Sequence, residues 1–144
     1  WTCAHAALGF TVTLCRKRLL SLYTEGREEG LAPRLTIRRA ETWSLREGLL
    51  LAPGSFFPPG TPLRRLLTRR AAELADEQTE AGTSAYYPKR RTLLRRAFNT
   101  ENCYLGEDGL HWFYPMYTVA PAAEGIVDFA LPYGEAGLMC PEEE

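Results

Sequence analysis

From Leu63 onward, apolar side chains recur at Leu66, Leu67, Ala71 and Leu74, the spacing of one helix face, whereas the chain before and after this stretch alternates with a period of two. Strands, then helices, then strands predict an α+β domain. Its core would be a mainly antiparallel β-sheet covered by two consecutive helices. Thr61 followed by Pro62 marks the helix start, with the hydroxyl as cap and the proline at the first helical position, and the helix should run to about Thr79. Arg70 falls inside the apolar stripe, so its stem should snorkel over the core edge and its guanidinium should reach Glu73 or Glu77. After the break Ala81, Gly82, Thr83, Ser84, a shorter helix is expected from about Pro88, with Leu93, Leu94, Ala97 and Phe98 as its apolar face.

Ahead of the helices, Phe10, Val12 and Leu14 alternate with Thr11, Thr13 and Cys15, the mark of a half-buried strand. A basic turn, Arg16 to Arg18, leads to a second strand, Leu19 to Tyr23, which should end where Glu25, Gly26, Arg27, Glu28, Glu29 and Gly30 break the pattern. A third strand is expected within Leu35 to Leu45, anchored by Ile37 and Trp43. Behind the helices, Asn102 to Leu105, the turn Gly106, Glu107, Asp108, Gly109, and Leu110 to Val119 read as a hairpin. Pro115 should bulge its second arm or confine it to an edge. In a last strand Val127, Phe129 and Leu131 face one side and Asp128 the other. At 144 residues the whole is one domain, residues 1–144, ending in an acidic tail over 134–144. Trp1 in place of an initiator methionine reads as a chain trimmed upstream, and no apolar run is long enough to span a membrane.

Charge is unevenly laid out although the total is −1. Residues 99–144 hold nine acids and no Lys or Arg, a negative field that favours a cationic partner if it stays exposed, or that folds against the arginine-rich middle. The doublets Arg64/Arg65, Arg69/Arg70, Arg90/Arg91 and Arg95/Arg96 are interleaved with acids and lack stacking aromatics, so nucleic acid is not expected as a partner. Cys3, Cys15, Cys103 and Cys140 form no C-x-x-C pair, so no metal site is expected. Cys3 and Cys15 would suit a disulfide in an oxidising compartment, while Cys15 and Cys103 sit among apolar neighbours as buried free thiols do.

Catalytic groups are sparse. His5 and His111 are the two histidines, with no Ser or Cys at a recognisable elbow, and Glu107 and Asp108 read as turn formers rather than an acid/base pair. No phosphate-binding glycine loop is present, so no cofactor is called for. Trp112, Phe113, Tyr114 and Tyr117 are either core or a contact surface for carbohydrate or protein.

The run from Tyr104 through Trp112, Phe113, Tyr114, Ala120 and Pro121 to Gly125, Ile126, Val127, Asp128, Phe129, Ala130, Leu131, Pro132 and Tyr133 resembles the RsiV-like C-terminal domain family. Trp43, Ser44, Leu45, Gly48 and the pair Phe56–Phe57 match the middle of that pattern. The resemblance implies an extracytoplasmic, non-enzymatic binding or sensing domain of a bacterial cell-envelope protein, incomplete at its N-terminus, as in lysozyme-responsive anti-sigma factors or modules attached to peptidoglycan deacetylases. A cationic protein such as lysozyme is the implied partner, with Glu107, Asp108, Glu124 and Asp128 as contacts within the acidic third. The alternative is a wall-associated module binding peptidoglycan glycan through Trp112, Tyr114 or Tyr117; a peptidoglycan-modifying enzyme is the remaining reading. The family's Tyr-x-Gly-Gly-Ala-His stretch is replaced here by Tyr23, Thr24, Glu25, Gly26, Arg27 and Glu28, without a histidine.

Overall fold

The computed structural model describes residues 5–29 and 35–141. The element order is strands β1 (His5–Arg16), β2 (Leu19–Glu29), β3 (Leu35–Ser44) and β4 (Leu49–Leu50), helices α1 (Leu63–Glu80) and α2 (Arg90–Arg96), then β5 (Cys103–Leu105), β6 (Gly109–Tyr114) and β7 (Val127–Pro132). The α+β class and the strand–helix–strand order are therefore as expected. The strands form two antiparallel sheets rather than one, ordered β1-β2-β3-β4 and β5-β6-β7. Gly48 closes the β3–β4 turn with φ +69, a conformation that costs glycine little.

Alternation explains the smaller sheet directly. Leu105, Leu110, Trp112, Tyr114, Phe129 and Leu131 all point to one face and are buried with Leu67, Ala71, Ala75, Leu94 and Phe98 of the helical segment. Tyr114 ties the layers together by donating its hydroxyl to the Leu94 carbonyl at 2.7 Å. The α1 stripe extends to Thr68, Ala72 and Ala75, with Leu63, Leu66 and Leu74 packed at its margin. Pro115 ends β6 at Tyr114 instead of bulging it.

Thr61 does not cap α1: its hydroxyl donates back to Pro58 O at 2.6 Å, closing a turn, and Pro62 occupies the cap position. The second helix starts at Arg90, two residues after Pro88, because Lys89 takes a left-handed conformation, φ 63. Arg70 lies within reach of Glu73 and of Glu135 beyond β7.

The larger sheet departs most from its sequence reading. A register shift between Val12 and Leu14 inserts an extra residue, so Val12 lies opposite Leu22 while Leu14 lies opposite Ser21, on the other face. The apolar row Phe10, Val12, Leu14 is thereby split: Leu14 enters the core with Leu19, whereas Phe10 and Val12 are exposed. The same phase change turns Cys15 outward as a free, exposed thiol, while Cys103 is buried as expected. Cys3 lies outside the described residues, as do the last acids of the tail. β2 does not stop at Glu25: Glu25, Gly26, Arg27 and Glu28 stay paired on both sides, to β1 and to β3. Ile37, opposite Gly26, is exposed and anchors nothing, because this outer half of the sheet extends beyond the packed body.

Candidate functional site

The two sheets meet on the face of β5–β7 turned away from the helices. Cross-strand pairing places Tyr104 beside His111 and Phe113 beside Asp128 on that face. Against it stands the inner face of β2 and β3, where Ser21 pairs with Thr42, Tyr23 with Ala40 and Glu25 with Arg38. Ser21 stitches the sheets: fully buried, it contacts the Thr42 hydroxyl at 2.9 Å and accepts the Leu105 backbone N–H at 2.8 Å, satisfying a donor on the β5 edge.

Asp128 is the centre of the polar junction. Its Oδ2 accepts from Arg38 Nη1 at 3.1 Å and from the Tyr104 hydroxyl, and its Oδ1 lies 2.7 Å from His111 Nδ1. The other ring nitrogen, Nε2, lies 2.7 Å from Asp108 Oδ1 in the β5–β6 turn. Tyr104 stacks on the imidazole, ring centroids 4.9 Å apart. The Arg38 guanidinium sits 4.2 Å from the Tyr23 centroid and 3.6 Å from Glu25, so one cation serves two carboxylates and an aromatic face. Burial works against a charged His111, but the bonds and charges of Asp128 and Asp108 outweigh it and raise its pKa. Burial, and then Asp128, raise that of Tyr104, which stays a neutral donor.

The turn Gly106 to Gly109 is rigidly held. Gly106 N–H donates to Gly109 O at 2.8 Å, Tyr133 N–H to Asp108 O at 3.2 Å, and the Tyr133 hydroxyl to Gly106 O at 2.8 Å. On it, Glu107 and Asp108 project with side chains 70% and 67% exposed, even though Glu107 pairs with Arg16 at 2.7 Å and Asp108 with His111. These bonds are the first cause of the lowered pKa at each carboxylate, so both are charged at neutral pH.

The other sequence candidates are placed differently. Glu124 accepts the Ala85 N–H at 3.0 Å at the surface, tying the loop after β6 to the segment between the helices. Asp128 faces away from the helices as read, but toward β3 rather than toward a partner. Trp112 and Tyr114 are core residues and present no ring to a glycan, while Tyr117 alone of the three is exposed, on a turn where its φ is 66. Of the four acids, the structure brings Asp108 and Asp128 together through His111 and keeps Glu107 next to them. Arg38, Tyr104 and Ser21 were missed by sequence reading; the one available signal was the arginine doublet Arg38/Arg39 inside β3.

Among the described residues no three His, Cys, Asp or Glu side chains stand together as a metal-holding group. Both nitrogens of His111 are engaged by carboxylates, leaving no lone pair for a metal or for deprotonating a third group. Burial pushes the Cys103 thiol up to about 12, far from a nucleophile's range. Beside the junction an open groove of about 510 Å³ runs between β2–β3 and the loop after β6, bordered by Glu25, Arg27, Arg38, Met116 and Ile126.

No curated protein matches the chain. The family model of DUF3298, a protein of unknown function, matches residues 55–134, from the turn before α1 to the end of β7. The chain belongs to the DUF3298 family. Among solved structures, a DUF3298 protein of Bacteroides fragilis is similar over 89% of this chain, with TM-score 0.63 and 23% identity. A DUF3298 protein of Pseudomonas aeruginosa is similar over 94% of it, with TM-score 0.62 and 17% identity. At these identities the likeness is one of fold. The chain spans about half the length of the first, 51%, and 62% of the second. In this DUF3298 domain the family match takes in β5–β7, with His111, Asp108 and Asp128, and leaves β1–β4 outside it.

Proposed function

We propose that this DUF3298 domain is a non-catalytic recognition module of a bacterial cell-envelope protein, acting outside the cytoplasmic membrane, and that its partner is a cationic protein such as lysozyme. The resemblance of Tyr104 to Tyr133 to the RsiV-like C-terminal domain supports the class. The observation that carries the reading is the turn Gly106 to Gly109, which presents two adjacent, ionised and exposed carboxylates on a backbone fixed by three hydrogen bonds. A preorganised acidic tip loses little freedom when it meets a cationic surface, and charge complementarity of this kind steers encounter and selects partners. Glu107 and Asp108 are the contact acids. Glu124 and Asp128 serve the fold. That His111 is saturated by carboxylates supports recognition over catalysis, and the burial of Trp112 and Tyr114 leaves the glycan reading a single exposed ring.

The test is a calorimetric titration of the domain with a cationic lysozyme at low and near-physiological salt, beside the variant Glu107→Lys/Asp108→Lys. Saturable binding that persists at the higher salt and falls at least tenfold in the variant is expected. Absence of binding, or binding that the variant leaves unchanged, contradicts the assignment.

A further inference from the structure

Among the described residues, no strand pairs with the outer edge of β1. Among the described residues β1 pairs with β2 alone, so every second residue from His5 to Val12 directs its N–H and C=O outward. The opposite edge of the sheet is met at both ends, where β4 pairs with Trp43 and Ser44, Leu51 N–H donates to Thr42 O at 2.7 Å, and Thr36 N–H meets Met116 Sδ at 3.2 Å, and between them Arg38 to Glu41 border a cleft shared with residues 100–103. Exposed edges are ordinarily protected by charges, proline or early bulges. Here the segment His5 to Cys15 has no Asp, Glu, Lys, Arg or Pro, and its bulge comes only after Val12. Leu8 and Phe10 are 81% and 73% exposed on the face that also carries Val12 and Ile37.

We propose that this edge pairs with the same edge of a second copy of the chain, antiparallel and centred on Gly9. Centring on Gly9 is what the sequence favours. It sets Leu8 opposite Phe10 and Ala6 opposite Val12 on the apolar face, Ala7 opposite Thr11 on the other, and two residues without side chains at the two-fold axis. No charge opposes a like charge, and the surface is self-complementary as a two-fold interface requires. Joining the copies makes one continuous sheet, β4-β3-β2-β1-β1-β2-β3-β4, with Leu8, Phe10 and Ile37 of both copies along one face. The contact is two-fold and uses the β1 edge of both copies, so the assembly closes at two. A single strand pair is a small interface, below about 1,200 Å², so the association is weak, with a Kd in the micromolar range. This inference is independent of the acidic turn, which lies on the other sheet.

Sedimentation velocity over a range from low micromolar to several hundred micromolar reads the assembly. The mass should rise from one chain to two, and Leu8→Lys/Phe10→Lys should hold it at one chain with an unchanged circular dichroism spectrum. A chain that stays monomeric at the highest concentration, or that grows beyond two, overturns the proposal. Register is tested with single cysteines in a background where Cys3, Cys15, Cys103 and Cys140 are serine or alanine. Gly9→Cys, where a Cβ meets nothing within 4 Å, should cross-link to itself on mild oxidation, whereas Thr11→Cys, facing Ala7, should not. Equal cross-linking at the two positions contradicts the Gly9-centred pairing.

Discussion

His111 contacts a carboxylate through each ring nitrogen, and only the imidazolium has a donor for both. Its pKa therefore stands above the ordinary 6.5, with Asp128, Asp108, Arg38, Glu25 and Tyr104 as the groups that face it or its carboxylates. The sign follows from linkage. A raised histidine pKa adds stability that is complete below 6.5 and disappears as pH rises through the folded value, while the lowered pKa of Asp108 adds stability that is lost as pH falls below its ordinary 3.8. The clamp thus contributes most between these limits. An NMR titration of the imidazole carbon protons should find the pKa above 6.5, and Asp108→Asn should move it down. An unshifted midpoint in the parent protein would remove the clamp. Glu107 and Asp108 as turn residues were legible from their flanking glycines, and the outward direction of Asp128 from period two. That Asp128 meets Arg38 was not, because the contact spans 90 positions and no local pattern encodes it.

The β6–β7 ladder depends on the absence of a side chain at Gly109. A Cβ there would stand 2.0 Å from the Leu131 carbonyl oxygen, and that neighbour is backbone and cannot step aside. Gly109→Ala should therefore cost about 3 kcal/mol in denaturant unfolding, the upper part of the range for overpacking. Gly54→Ala, with open space around it, should stay within about 0.5 kcal/mol. At this scale α1, α2 and the β5–β6 hairpin were readable because their periodicity coincides with the face they bury. β1 misled for the reverse reason. Its alternation is real, but the extra residue before Leu14 changes which face is which, and a bulge has no signature in a run such as Thr11, Val12, Thr13. Glu25 to Glu29 looked like a break because charges and glycine are poor strand formers. Pairing on both sides overrides that preference.

Across the whole molecule, the helices are fastened to β5–β7 by an apolar layer, and β2–β3 by a polar one. Removing a large core side chain should unsettle the first: Trp112→Ala is expected to cost about 3–5 kcal/mol, with the loss of cooperative unfolding in urea as the readout. Arg38 is the counterpart in the second layer, its guanidinium held by Asp128, Glu25 and the Tyr23 ring while remaining partly solvated. Arg38→Met should cost about 2 kcal/mol, between the values for exposed and buried pairs, and should accelerate amide exchange in β2 and β3 more than in β6. Much of the acidic surplus of the last third is met from elsewhere in the chain, Glu107 by Arg16, Asp128 by Arg38 and Glu135 by Arg70. Even with these partners, Glu107 and Asp108 stand adjacent on the turn Gly106 to Gly109 with side chains 70% and 67% exposed, which is why the proposed recognition is assigned there rather than to the acidic third at large. The most direct measurement is an amide chemical-shift map of the isotopically labelled domain during titration with unlabelled lysozyme. Shifts or broadening centred on residues 106–109 and on the adjoining Tyr133–Glu135 segment are the predicted result. A map centred on the helices or the β1 edge, or no change at saturating lysozyme, would contradict it.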